Sequence, residues 1–368
     1  MIRSLVSLRS VRMALVLGAL LALAACGGDD DSPESSSSDR DRQGADLGAI
    51  KSYLTDHSAA LSKQTGALRE QAEAYYELAK AADFDYGAML ESDREEVESI
   101  LAAGQEAYRA ANPAYEEMEG IVAGVPRLAQ YDVDIDAGSD ASDPESAVSF
   151  SLELPNGRTL EQPGNFMFLT ETSWFATNPD LLAKGAPKDV DGDGQVGFGE
   201  GLPDANFLVA AMRAFDEMAG DLDADARAFE PTPSDAFTAI TVMTPTMSEY
   251  FEAWKNSRFV AGGDTTAEFA AASRLQDIAD ILEGIAFTYD EVEPLIGAEA
   301  PQQAGQTERE LRQLRSYVES LLQRESGGKQ YTAEQADTLG SQAQRRAEAI
   351  AGQVTQAAQR LGIELQEA

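Results

Sequence analysis

The chain has 368 residues, and 64 acidic against 28 basic side chains give it a formal charge of −36. A polyanion of this size is repelled by nucleic acid and by anionic membrane surfaces, which excludes a nucleic-acid partner, while cations are drawn to it. A single cysteine excludes a disulfide framework.

Taken in chain order, residues 1–25 read as an export signal. Arg3, Arg9 and Arg12 precede the apolar run Met13–Ala22, and Leu23-Ala24-Ala25-Cys26 fits a bacterial lipobox. A spanning helix is the competing reading, but the apolar run is roughly a dozen residues, short of the ~20 that cross a bilayer. The expectation is therefore a lipid on Cys26 that anchors the protein to a membrane, in the cell envelope on a periplasmic or extracellular face. Residues 26–45 are rich in Gly, Asp and Ser, with no apolar side chains to bury before the stretch ends, and read as a disordered tether.

Residues 46–365 read as one mainly α domain, a long antiparallel helix bundle with a short β and loop insertion at 131–204. Leu47, Ile50, Leu54, Leu61, Leu68, Tyr75 and Ala79 recur at helical spacing and predict a helix over 47–79. A second helix is expected from Ser92, with Glu95 completing a capping box and Pro113 kinking it. Val148, Phe150, Leu152 and Leu154 alternate before Pro155-Asn156-Gly157, the pattern of a strand and turn. Further helices are expected over 204–218, 245–259, 266–287 and 307–323. A last one should start at Thr332, capped by Gln335, and run through Leu361. Residues 115–122 faintly echo residues 289–296; a duplicated half-bundle and coincidence both account for that.

The most specific text lies inside the insertion. Asp189, Asp191 and Asp193 stand at positions 1, 3 and 5 of a twelve-residue EF-hand loop. Gln195 offers its carbonyl at position 7, and Glu200 a carboxylate at 12. Gly194 supplies the positive φ at position 6, and Val196 at position 8 is expected to point inward. A solvated acidic turn is the plainer alternative. Gly199, Gly201 and Pro203 replace the usual exit helix, so Glu200 should be held less firmly than in a paired hand. The expected ligand is Ca2+.

Outside this loop the chain lacks G-x-S-x-G, H-E-x-x-H and a cysteine nucleophile, and no enzyme activity is expected. His57 lies on the apolar stripe of the first helix and reads as a packed histidine bonded to a neighbour, with metal ligation as the alternative. Glu116 and Glu119 share a helix face beside Tyr115 and Met118. They are either inward metal ligands, as in helix-bundle carboxylate sites, or a solvated acidic flank.

Tyr115-Glu116-Glu117-Met118-Glu119, then Ile135-Asp136-Ala137, the block from Phe251 to Phe259, and Arg274-Leu275-Gln276-Asp277-Ile278 together resemble the imelysin-like family. That group includes the EfeO/EfeM-type iron-uptake lipoproteins. The resemblance covers about residues 46–365 and implies a helix bundle that binds a metal for uptake, with an envelope transport partner. It also implies that Glu116, Glu119, Asp136 and Glu171 form a second metal site. In the family a Gly-x-His-x-x-Glu motif supplies an imidazole, whereas here Phe168 stands in the histidine position and only Glu171 remains. The resulting all-oxygen set suits a harder cation, divalent or iron. The alternative is a structural or protein-interaction lipoprotein with a calcium-stiffened loop and no second metal.

Overall fold

In α1 (Leu47–Ala81) the buried positions are Ile50, Leu54, Ser58, Leu61, Thr65, Leu68, Ala72, Tyr75 and Ala79. After two steps of four they alternate steps of three and four, the seam of a helix that packs along its whole length against neighbours. A computed structural model describes residues 44–263 and 269–366. The signal, Cys26 and most of the tether therefore lie outside the described residues. Among those described, no helix is long and apolar enough to cross a membrane.

α1 packs against α2 (Tyr86–Val122) on one side and α5 (Ala205–Ala228) on the other. Two of its seam hydroxyls reach across to α5, with Ser58 donating to Asp223 at 2.9 Å and Thr65 to Asp216 at 3.1 Å. On the far side α2 meets α8 (Arg274–Glu299), which packs on α9 (Pro301–Ser326), and α9 packs on α10 (Ala333–Leu361). Linkers of one to a few residues force consecutive long helices to run antiparallel. The expected capping box at Thr332 and Gln335 is formed.

Several boundaries differ from expectation. α2 begins at Tyr86, capped by Asp85, and Ser92 sits beside a break at Asp93 (φ −132°, ψ 26°). The Ser92 hydroxyl bonds back to the Ala88 and Met89 carbonyls, so it closes one turn instead of opening the next. Backbone dihedrals stay helical through Pro113, and the one non-helical residue within α2 is Asp93. α5 and α8 run past the expected ends at 218 and 287, and α8 opens at Arg274, capped by Ser273. The expected helix at 245–259 is shorter, α7 (Met247–Asn256), after which Val260 pairs with Tyr331 in a two-residue parallel ladder, β3 (Val260–Ala261) with β4 (Tyr331–Thr332).

The insertion is less β-rich than its sequence reads. Its hairpin, β1 (Ser151–Glu153) and β2 (Thr159–Glu161), pairs Leu152 with Leu160 and buries Leu152 between two exposed neighbours. It is flanked by α3 (Ala129–Asp132), a π-turn over Val133–Ala137, and α4 (Phe166–Trp174). α4 and α6 (Pro233–Met243) are short and buried on nearly every side, so no polar stripe marks their period.

Gly104 on α2 lies against the fully buried Trp174, whose ring occupies the space a Cβ would need. Gly104→Ala should destabilise by about 1–3 kcal/mol through overpacking. Gly220→Ala, where nothing stands within 4 Å of the new methyl, should instead stabilise by about 0.5–1 kcal/mol. Urea unfolding of both variants checks the pair, and equal effects would refute the packing at Trp174.

Candidate functional site

Glu116 and Glu119 lie one helical turn apart on α2 and are 0% and 2% exposed. The π-turn adds a residue to the helical path, closing with Gly138 N–H on the Val133 carbonyl at 2.8 Å, and brings Asp136 to the same place. Ligand oxygens of Glu116, Glu119 and Asp136 lie within 4.8 Å of one another. Three buried carboxylates at that spacing repel strongly unless something positive stands among them.

Arg274, in the first turn of α8, stands there. Its Nη1 is 3.1 Å from Glu116 Oε1 and 3.2 Å from Asp277 Oδ2, and its Nη2 is 3.2 Å from Asp136 Oδ2. The guanidinium is sandwiched between the rings of Tyr250 at 4.5 Å and Phe269 at 4.3 Å. Neighbouring donors orient the acids. Asn112 donates to Asp277 at 2.7 Å, Tyr250 to Glu119 Oε1 at 2.5 Å, and Tyr115 to Asp132 Oδ1 at 2.7 Å. Five buried carboxylates (Glu116, Glu119, Asp132, Asp136 and Asp277) thus surround one guanidinium.

This surplus of negative charge shows in the proton affinities. Burial pushes Glu116 well above the carboxylate range, and Asp277 adds to the push against the pull of Arg274. Burial and then Asp136 push Glu119 up to about 7. Asp132 rises for the same reasons, burial first and Glu119 second. Glu116 Oε2 and Glu119 Oε2 are buried with no hydrogen-bond partner. Two acids on one helix face with a bare oxygen each can share a proton or hold a cation.

A cleft of ≈ 700 Å³ leads from solvent to this cluster, with Glu119, Asp132, Asp136 and Arg274 in its lining. Asp140, Asp143 and Glu249 add further carboxylates, and Phe168, Tyr250 and Phe269 supply aromatic surface. Phe168 faces the cleft as a hydrocarbon wall. Glu171 does not join the three clustered acids. From α4 its Oε2 accepts the Phe269 amide at 2.6 Å and its Oε1 the Ala271 amide at 2.8 Å, so it braces the strap 269–271. His57 is a packed residue, its Nδ1 2.9 Å from Glu117 Oε2 and its ring 4.2 Å from that of Tyr53.

Asp132, Asp277, Tyr250 and the role of Arg274 escape sequence reasoning, because they reach the pair Glu116 and Glu119 from three other segments, with Arg274 and Asp277 together on α8. The available signal was an arginine paired at i,i+3 with an aspartate on a mainly apolar helix face.

The loop 189–200 is coiled by bonds between its own acids and amides. Asp189 accepts the Gly192 and Gly194 amides at 2.8 and 3.1 Å, Asp191 that of Asp193 at 3.0 Å, and Asp193 that of Gln195 at 2.7 Å. Glu200 folds back onto the amides of Asp191 and Gly197. Gly192, Gly194 and Gly199 all take positive φ. Ligand oxygens of Asp189, Asp191 and Asp193 lie within 4.8 Å of one another. Gln105 holds the exit, donating to the carbonyls of Trp174 at 2.9 Å and Gly199 at 3.0 Å. Val196 does not point inward: it is 59% exposed, and Val190 at position 2, 4% exposed, is the buried anchor. The missing exit helix leaves nothing for position 8 to pack against.

The family model described as Imelysin matches residues 47–361 of this chain. No curated protein matches it.

Glu119 binds a proton in the folded state up to about pH 7, against an ordinary value of 4.5. Its protonation stabilises the fold fully below 4.5, and that stabilisation is lost as pH rises through 7. In chelator-treated protein the melting temperature should therefore fall between pH 5 and pH 8. Glu119→Gln, which keeps a neutral side chain at every pH, should flatten that fall by on the order of 1–3 kcal/mol. An unchanged slope in the variant, followed by thermal melts, would show that Glu119 is not the titrating group.

Proposed function

The chain belongs to the Imelysin family, and from that premise we propose that it is a cell-envelope lipoprotein whose acid cleft captures a metal cation for uptake. The observation that carries this reading is the pair of bare, buried oxygens on Glu116 and Glu119, set among more carboxylates than Arg274 neutralises. Glu116, Glu119 and Asp136 would hold the ion. With oxygen donors and no imidazole at Phe168, the set favours a hard cation such as manganese(II) or iron(III). Arg274 has a separate role: it partly neutralises the empty cluster, so that the acids gather before the ion arrives. Entry of the cation would displace protons from Glu116 and Glu119.

The loop 189–200 is proposed to hold Ca2+ through Asp189, Asp191, Asp193, the Gln195 carbonyl and Glu200, stiffening the insertion. The lipid on Cys26 would keep the bundle at the membrane, where a transport partner could take the captured ion. A second reading rests on the three ion pairs of Arg274, which fix the cluster by themselves. In it the bundle is a structural or interaction lipoprotein with calcium in its loop alone.

Metal titration separates the two. Calcium should bind the loop with a Kd of roughly 10⁻⁴ to 10⁻³ M, the range of extracellular modules, and Asp189→Ala or Glu200→Ala should abolish it. Manganese(II) or iron(III) should still bind both loop variants and be lost in the double variant Glu116→Gln/Glu119→Gln. Calorimetry that finds no ion besides calcium, with the double variant indistinguishable from wild type, would favour the structural reading.

The anchor has its own check. Cys26→Ser should move the protein from the membrane to the soluble fraction, since acyl chains are its proposed hold on the bilayer. A variant that stays with membranes through carbonate extraction would instead indicate a spanning segment.

A further inference from the structure

A second groove, of ≈ 750 Å³, lies between the exit of the loop 189–200 and the segment 175–188. Three features set it apart from the rest of the surface. Among the described residues the exposed large apolar side chains are Phe84, Val196 and Phe198, and the last two line this groove at 59% and 46% exposure. Lys184, Lys188 and Arg258 also line it, and among the described residues none of the three is in an ion pair. In a chain whose acids outnumber its bases more than two to one, three unpaired cations around one groove form a local reversal of charge. The one acid in the lining, Glu200, is turned onto the amides of Asp191 and Gly197. Finally, Thr177 lines the groove 4% exposed with its hydroxyl unpartnered.

Arg258 is fixed in place. It stacks over Phe198 at 3.9 Å and Phe259 at 4.6 Å, while its Nε donates to the Ala270 carbonyl. Its proton affinity is lowered first by burial, against the pull of the Glu171 carboxylate, and then by the positive charge of Arg109, which itself lies over Phe175 at 4.7 Å. Two arginines thus stand on the same aromatic floor, since Phe175 and Phe198 stack at 5.9 Å. Aromatic rings with a held arginine are the composition that carries binding energy in protein interfaces.

We propose that this groove docks an extended segment of a partner protein that carries apolar side chains beside carboxylates. The apolar side chains would cover Val196 and Phe198, and the carboxylates would pair with Arg258, Lys184 and Lys188. A bilayer fits less well: the exposed side chains line a concavity, and the charge of −36 opposes approach to anionic lipid. A small anion would leave the apolar rim wet. Because the rim is the second half of the loop 189–200, docking should strengthen when that loop is loaded. This last clause rests on the calcium reading; the groove itself does not.

The test is fluorescence anisotropy with the mature chain and a labelled octapeptide alternating Glu or Asp with Leu or Phe. Two control peptides replace the acids with Lys, or the apolar residues with Ser. The acidic-apolar peptide should bind with a Kd on the order of 10⁻⁴ M or tighter, and both controls should fail. Arg258→Glu and Phe198→Ser should each weaken binding by roughly tenfold or more. Because Arg258 is half-buried, the exposed pair Lys184→Glu/Lys188→Glu serves as a variant that leaves the packing alone, and it should weaken binding as well. Docking is overturned if the acidic-apolar peptide does not bind, or binds these variants as tightly as wild type. It is overturned equally if the acid-only peptide or phosphatidylglycerol vesicles bind as well as the acidic-apolar peptide. Asp189→Ala should lower the affinity in excess calcium to that measured in chelator. Equal affinity with and without calcium in the wild type would overturn the calcium clause, while loss in Arg258→Glu would still support the groove.

Discussion

The guanidinium of Arg274 among five buried carboxylates is the constraint around which the rest of the site is arranged. An unpaired charge in a protein interior costs several kcal/mol, and a broken buried pair about 3–5 kcal/mol. Every element that approaches Arg274 therefore has to arrive with the right donor, acceptor or ring. α2 brings Glu116 and Glu119, the π-turn brings Asp136, and α8 brings Asp277 one turn from Arg274 itself. Tyr250 on α7 closes one face and Phe269 the other. Phe269 takes a positive φ of 57°, a conformation that strains a non-glycine residue. The two hydrogen bonds that the Phe269 and Ala271 amides donate to Glu171 hold the strap in that strained state. Glu171 thus reaches the site indirectly, by fixing the ring that lies on Arg274.

One cation does not balance five acids. Burial and the repulsion of neighbouring acids therefore raise the proton affinity of Glu116, Glu119 and Asp132 together instead of any one of them. A proton and a cation then compete for the same oxygens, so affinity for a metal should rise with pH while the stability of the empty bundle falls. The imidazole absent at Phe168 has the same bearing. A histidine would add a borderline donor suited to zinc or iron(II), whereas carboxylates alone favour a hard ion.

How much of this could be read from the chain depends on distance in sequence. α1 and α10 were legible because their seams repeat over many turns and a capping box marks Thr332. Glu116 and Glu119 were legible as a pair because a three-residue spacing fixes their common face. α4 and α6 were not, since a short helix buried all round shows no periodicity. Arg274, Asp132 and Tyr250 meet the pair only through the tertiary fold, and no local pattern announces that meeting. Glu171 shows the limit of motif spacing. The resemblance implies a place for it among the clustered acids, yet its oxygens turn toward a strap whose path the sequence does not reveal. Val196 shows the limit of a loop template, which assumes a helix that this chain lacks.

The strap 269–271 gives the molecule its last level of organisation. Its amides are held by Glu171, its Ala270 carbonyl by Arg258, and its Phe269 ring lies on Arg274. On one side of these contacts lies the acid cleft, and on the other the groove lined by Arg258 and two lysines. Surfaces of opposite sign placed this close would draw each other's side chains into pairs unless each were fixed. Here each arginine is held by aromatic rings and by partners of its own, Arg274 by three carboxylates and Arg258 by a backbone carbonyl. The acids of the cleft are thereby left with more negative charge than Arg274 can neutralise, and Lys184, Lys188 and Arg258 stand outside any ion pair among the described residues. A few short, part-buried contacts along the strap thus hold the two oppositely charged surfaces apart.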